Sequence, residues 1–348
     1  MGCVERNRWL LGFTFLFFAF FALAVPQQSH AQQKVIALKY SSFFPALQKH
    51  GIIVQQWCKD VEKVTNGKVK VNCYPGSTLT PPTQTYDSVV KGIADIGLSI
   101  FGYTMGKFPM MTAIDLPLGY KSGYVATKMI NAYYNKFKPK ELDEVKIMYL
   151  SAHAPGLVNT KKPVNKLEDM KGLKLRATGQ TAQFVKALGG APVGLPITEA
   201  YDALSRGVVD GVMCPFEGLM TWKTGEVVGY TTRDLGCAYS SGFFVVMNKN
   251  KWNSIPPDAQ AAIEKLNQEY IEKQGKLWDE TDKEGYDLIK QRGNKVIDLR
   301  PEEMARWVKA ARPVIDAYIK ALKDKGLPGE EAIGFMQDYL KKNDKAPF

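Results

Sequence analysis

The chain has 348 residues, 45% hydrophobic and 23% charged, with 46 Lys and Arg against 35 Asp and Glu for a formal net charge of +11. That length suffices for two domains of ordinary size. A basic excess can serve nucleic acid, an anionic surface or acidic small molecules, but the lysines here are scattered and often sit beside acids, as in Lys59-Asp60 and Asp282-Lys283-Glu284. With no basic run of five and no zinc or RNA-binding signature, nucleic acid is not expected as a partner.

The chain opens with Glu5, Arg6 and Arg8, runs apolar over 9–25 with only Gly12 and Thr14 interrupting, and then turns polar through Pro26-Gln27-Gln28-Ser29-His30-Ala31. Ser29-x-Ala31 is a small-x-small site, so residues 1–31 read as a cleavable export signal and the mature chain should begin at Gln32. The apolar run falls short of the roughly 20 residues that span a bilayer. Cys3 precedes that run, which argues against a lipoprotein anchor. The expected location is the periplasm.

Beyond the signal stand Cys58, Cys73, Cys214 and Cys237, an even count that permits disulfides in an exported chain. No C-x-x-C occurs, and His50 and His153 are too few and too far apart for a metal cage. Val35-Ile36-Ala37-Leu38-Lys39-Tyr40 reads as a strand, followed by a Ser41-Ser42-Phe43-Phe44-Pro45 loop and a helix over 46–65 with Ile53, Trp57, Val61 and Val64 at helical spacing. Asn66-Gly67 ends that helix, Val69-Lys70-Val71-Asn72-Cys73-Tyr74 alternates as a second strand, and a helix over 83–91 precedes a short buried strand at 93–98. This βαβαβ order favours a parallel sheet flanked by helices. Because the first helix and second strand meet in such a unit, Cys58 and Cys73 can close a short disulfide or stay as two buried thiols; the sequence leaves both open.

The rhythm then repeats. Strands are expected at 146–150, 173–177 and 208–213, with helices at 180–188 and 199–206, which gives a two-lobed plan with the ligand cleft at the strand carboxyl ends. Pro256-Pro257-Asp258 starts a helix that continues to about Gln291, long enough to run behind both lobes, and Pro301-Glu302-Glu303 starts another through Leu322 with a kink expected at Pro313.

Several stretches together resemble the substrate-binding proteins of TRAP transporters, the DctP-like family. They are Tyr74-Pro75-Gly76 with Gly92-Ile93-Ala94-Asp95-Ile96-Gly97, Phe108-Pro109 through Asp115-Leu116-Pro117, and Lys162-Pro163-Val164 through Gly172-Leu173-Lys174-Leu175-Arg176. The clearest is Gly190-Ala191-Pro192-Val193 through Glu199-Ala200-Tyr201-Asp202-Ala203-Leu204 to Gly207-Val208-Val209-Asp210-Gly211. The resemblance implies an α/β fold of two lobes, with two sheets and flanking helices, crossing strands and a long bracing helix. Lobe I would take 34–153 plus 243–275, and lobe II 154–242 plus 276–340. It also implies capture of an organic acid and delivery to an ion-gradient-driven membrane permease, with closure about hinges near 152–159 and near Cys214 or Ser240. A monomer with no cofactor is expected.

Arg176 stands where the family places its carboxylate-binding arginine, and a guanidinium fork matches two carboxylate oxygens. Cys214 stands where many members carry the Asn of a Gln-Glu-Asn-Pro run, and a thiol is a weak donor, so sugar acids and C4-dicarboxylates are disfavoured. Members that bind a 2-oxo acid through a cation have an acid where Met213 stands, so no metal is expected, although Glu217 follows four residues on. Phe216 and Trp222 in the next loop, one of Phe43 and Phe44, and Tyr103 are expected as cleft walls, with His153 as a possible donor to an anion. The expected ligand is a monocarboxylate with an apolar or aromatic body, including 2-oxo and 2-hydroxy acids.

Enzyme readings find no support: G-x-S-x-G, H-E-x-x-H and G-x-x-x-x-G-K are all missing from the sequence. The alternatives kept open are a periplasmic protein that presents ligand to a separate sensor, and C4-dicarboxylate or sugar-acid binding by the same fold. N-terminal sequencing of the exported protein should start at Gln32, and a mature species that retains the first 25 residues would contradict the signal reading.

Overall fold

The computed structural model describes residues 35–344, Met105 excepted, so the export-signal reading lies outside the described residues. The chain begins with β1 (Ile36–Ser42), α1 (Lys49–Val64), β2 (Val69–Tyr74), α2 (Thr85–Val90), β3 (Ile96–Ile100), α3 (Gly123–Phe137) and β4 (Val145–Ala152). It continues through β5 (Leu157–Thr160), β6 (Lys174–Arg176), α4 (Gly179–Ala187), β7 (Ala191–Val193), α5 (Ala200–Ser205), β8 (Gly211–Cys214), α6 (Phe216–Thr221) and β9 (Tyr230–Arg233). The last stretch is β10 (Gly242–Asn248), α7 (Lys249–Asn253), α8 (Pro257–Gln291), β11 (Lys295–Asp298), α9 (Pro301–Asp324) and α10 (Gly329–Asn343). No helix among the described residues is long and apolar enough to cross a membrane.

Two sheets form, ordered β2-β1-β3-β10-β4 and β11-β9-β5-β8-β6-β7. The expectation of a parallel sheet needs correction. β1 is parallel to β2 and β3, but β10 runs antiparallel to β3 and β4, and β5 runs antiparallel to β8 and β9. The cause is topological: the chain enters β10 from the other sheet and slots between β3 and β4 while pointing back. Its apolar run Phe243-Phe244-Val245-Val246-Met247 is buried on both faces, as a central strand requires.

The long helix appears as expected. α8 has 35 residues and spans roughly 50 Å at 1.5 Å per residue. It braces elements of both sheets through three polar anchors. Asn267 accepts from Trp57 Nε1 of α1 (3.0 Å), Asp279 accepts from Ser122 Oγ and Gly123 N at the start of α3 (2.7 and 2.6 Å), and Asp282 accepts from Glu217 N at the start of α6 (3.0 Å). Gly285 lets α6 come this close, since a Cβ there would stand 2.3 Å from the Phe216 carbonyl oxygen. Any side chain at that position would push α6 off the brace.

The strands of the two sheets are linked at 153–156 and 234–241, which run side by side. Gly156 N donates to Tyr239 O (2.7 Å), and Ser240 Oγ donates to His153 O (2.7 Å). A third contact is Asp115, which is almost fully buried and packs closely against Gly102 and Gly179. Gly179 makes that contact possible: its φ is +55°, and a Cβ there would stand 2.3 Å from Asp115 Oδ2 and 3.1 Å from Gly102 Cα.

Cys58 and Cys73 meet across α1 and β2 as expected, but they are not bonded to each other. All four cysteines among the described residues are free, and the Cys58 thiol is pushed up by the neighbouring Cys73 and by burial. The partnership is a thiol–thiol contact.

Burial pushes the carboxyl of Asp115 up to about 8 and those of Asp234 and Glu217 up to about 7. The folded state therefore keeps protons that the unfolded chain releases near pH 4, so this stabilisation is full in acid and is lost as pH rises through the folded values. Buried His50 and His153, lowered to about 3 and about 4, act in the opposite sense, but only below the ordinary histidine value of about 6.5. Thermal melts should show stability falling between about pH 6.5 and about pH 8.5, with a flatter slope for Asp115→Asn. A melting temperature that rises across that window would contradict this assignment.

Candidate ligand-binding site

β6 ends at Arg176, which pairs with Val193 of β7 on one side and Val212 of β8 on the other. Leu175 goes into the core, and Arg176 lines a cavity of about 480 Å³ of unfilled space, its open side included. The cavity lies where β1, β3 and β4 of one sheet and β6 and β8 of the other end, so the strand carboxyl ends carry the site as expected.

Arg176 is only 5% exposed. Its Nε donates to Leu195 O (2.8 Å), Nη1 to Met213 O (3.3 Å) and Nη2 to Tyr103 Oη (3.3 Å), and none of the ion pairs among the described residues includes it. A guanidinium has five N–H donors, so two carbonyls and a phenol leave donors to spare and the charge uncompensated. Tyr103 Oη also accepts from Ile197 N (3.0 Å). With two bonds accepted, its own O–H remains available to donate. Arg176 and Tyr103 together form a cationic donor set suited to one carboxylate.

The walls are aromatic. Phe43 and Phe44 lie just past the end of β1 and both line the cavity, their rings stacked at 4.6 Å. The expectation that only one of them would do so fails because strand alternation ends with Ser42. Trp222 stacks on Phe43 (5.9 Å) and Phe44 (6.1 Å), and Phe243 stacks on both (6.3 and 5.9 Å) and packs against Trp278 (4.8 Å). Phe243 and Trp278 were not singled out in the sequence. Their signals, an apolar strand and the apolar stripe of a long helix, are those of ordinary core.

Cys214 lines the cavity at the end of β8, with Asn159 Nδ2 3.6 Å from its sulfur, and burial pushes its thiol up. It is a neutral wall atom. Phe216 is corrected: its ring turns away from the cavity to meet Tyr286 of α8 edge-on at 5.2 Å, because docking of the α6 start on Asp282 and Gly285 faces it toward the brace. Glu217, the next residue, lines the cavity instead, buried and with Oε1 unpartnered among the described residues.

His153 also lines the cavity, but its expected role as a donor is corrected. Nδ1 is bonded to the Ala154 carbonyl (2.5 Å), so it carries the ring proton. Burial, the largest cause, and the nearby Arg176 charge lower its pKa to about 4. The ring is therefore neutral near pH 7, and its Nε2 accepts hydrogen bonds rather than donating them.

The family model for bacterial extracellular solute-binding protein, family 7 (DctP), matches residues 40–321. The C4-dicarboxylate-binding periplasmic protein DctP of Rhodobacter capsulatus is 26% identical over 85% of this chain and 89% of its own. A TRAP solute-binding protein from a marine metagenome (unidentified microbe), described as specific for aromatic acid ligands and solved with metahydroxyphenylacetate, is 29% identical over 89% of this chain and all of its own, with a TM-score of 0.84. A TRAP solute-binding protein of Rhodoferax ferrireducens, solved with copurified benzoate, is 26% identical over 88% of this chain and 98% of its own, also at a TM-score of 0.84. With two lobes, a cleft at the strand ends and a family match over most of its length, the chain belongs to the DctP family, the solute-binding proteins of TRAP transporters.

Proposed function

We propose that this protein captures a monocarboxylate with an aromatic or similarly apolar body in the periplasm and hands it to a TRAP membrane permease. The observation that carries this reading is Arg176, a buried cation without a carboxylate partner among the described residues, at one end of a cavity walled by stacked aromatic rings. Burying an ion costs several kcal/mol unless a counter-charge compensates it, so a ligand carboxylate is the natural complement. Arg176 and Tyr103 would take the carboxylate, and Phe43, Phe44, Trp222 and Phe243 would cover the body. The permease partner follows from the family.

A C4-dicarboxylate would need a second cation. Arg176 is the one Arg or Lys among the cavity-lining residues described, and His153 is neutral. The two TRAP relatives solved with metahydroxyphenylacetate and benzoate support the aromatic class. His153, left with an acceptor at Nε2, suits a hydroxyl better than an oxo group. A 2-hydroxy acid therefore fits this reading better than a 2-oxo acid.

Titration calorimetry should show benzoate or phenylacetate binding with heat and succinate giving none. Arg176→Lys should weaken the bound acid by about 3 kcal/mol, roughly a hundredfold in Kd, because an ammonium cannot reproduce the planar fork. Tight succinate binding without a response to aromatic acids would overturn the class, and undiminished binding by Arg176→Lys would remove the anchor.

A further inference from the structure

A second polar feature in the cavity is used neither by the fold nor by carboxylate capture. Glu217 on α6 is 2% exposed, and its Oε1 has no partner among the described residues. Trp278 on α8 is equally buried, and its Nε1–H likewise lacks an acceptor. Both residues line the cavity, and both pack around His50 of α1. The His50 ring lies 3.9 Å from the Trp278 ring, centroid to centroid, and its Nε2 is 3.9 Å from Glu217 Oε1, too far for a hydrogen bond.

His50 is already committed elsewhere. Thr281 gives its own proton to Leu277 O (2.8 Å), so its hydroxyl oxygen accepts from His50 Nε2–H (3.2 Å). Burial also lowers the His50 pKa to about 3, so the ring carries no charge with which to pair Glu217. Asp282, the nearest acid on the facing helix, spends its Oδ1 on the Glu217 backbone N–H. No neighbouring group therefore satisfies Glu217 Oε1 or Trp278 Nε1. Buried polar groups are nearly always paired, and an unpaired acceptor and an unpaired donor that line one cavity and pack on the same histidine are together the complement of a group that both donates and accepts.

We propose that Glu217 and Trp278 form a hydroxyl-binding subsite, which makes this protein selective for hydroxyl-substituted aromatic carboxylates. The ligand hydroxyl donates to Glu217 Oε1 while its oxygen accepts from Trp278 Nε1–H. Because they project from α6 and α8, the two groups read a substituent on the ligand body, whereas Arg176 and Tyr103 read the carboxylate. This inference rests on the monocarboxylate reading above and adds the substituent that the pocket selects.

The test is calorimetry with benzoate, 3- and 4-hydroxybenzoate, and the methoxybenzoates of the preferred position. At least one hydroxybenzoate should bind about tenfold or more tightly than benzoate, as expected of a hydrogen bond to a buried, ionisable partner. Methylation of that hydroxyl should remove the advantage. In Glu217→Leu the ratio of hydroxybenzoate to benzoate affinity should collapse toward one, and Trp278→Phe should reduce it. Equal binding of benzoate and both hydroxybenzoates would overturn the subsite while leaving carboxylate capture standing, as would an unchanged ratio in Glu217→Leu. Failure of every member of the series to bind would sink both readings. Should Glu217→Leu not fold, the wild-type comparison of hydroxy, methoxy and unsubstituted acids decides alone.

Discussion

A guanidinium enclosed between two sheets, with no carboxylate partner among the described residues, constrains the rest of this molecule. Arg176 is held at Nε and Nη1 by the carbonyls of Leu195 and Met213 and at Nη2 by the Tyr103 phenol, which fixes where its charge points without neutralising it. A buried charge that no counter-charge offsets is costly, so a ligand anion would stabilise it. On the proposed reading the cavity receives an anion, and the enclosing aromatic rings would lower the local dielectric and strengthen the pair formed there. Binding and enclosure reinforce one another.

The scaffold explains how so short an element as β6 can place the arginine accurately. β6 has three residues but lies between β7 and β8, and its end is followed by α4, whose first residue, Gly179, packs closely against Asp115 and Gly102. α8 supplies the matching constraint behind the cleft. Its contacts with α1, α3 and α6 use polar anchors at Asn267, Asp279 and Asp282, three helical positions at which a directional bond sets register as well as proximity. The two crossings between the sheets are bound to each other by the Gly156–Tyr239 backbone bond and by Ser240 Oγ on the His153 carbonyl.

Much of this was legible in the residues. The 2.0 and 3.6 periodicities located β1, α1, β2 and α8, and the family resemblance around Leu173-Lys174-Leu175-Arg176 singled out Arg176, which the fold places in the cavity. The mixed character of the sheets was not legible, because strand direction depends on where a crossing returns, and no local pattern encodes that. Of the two candidates Phe216 and Glu217 only the second lines the cavity, because α6 begins at that point: a helical turn there, docked on Asp282, sends successive side chains to different sides. Phe243 and Trp278 read as core because they are core on one side and cavity wall on the other. The donor role given to His153 failed on a single hydrogen bond, Nδ1 to the Ala154 carbonyl, which sets the tautomer and which no sequence pattern reveals.

The most direct test of the central claim is a crystal structure of the protein grown with benzoate. The carboxylate should lie within hydrogen-bond distance of the Arg176 guanidinium and the Tyr103 hydroxyl, with the ring among Phe43, Phe44 and Trp222. Benzoate bound with its carboxylate turned away from Arg176, or seated outside this cavity, would contradict the account.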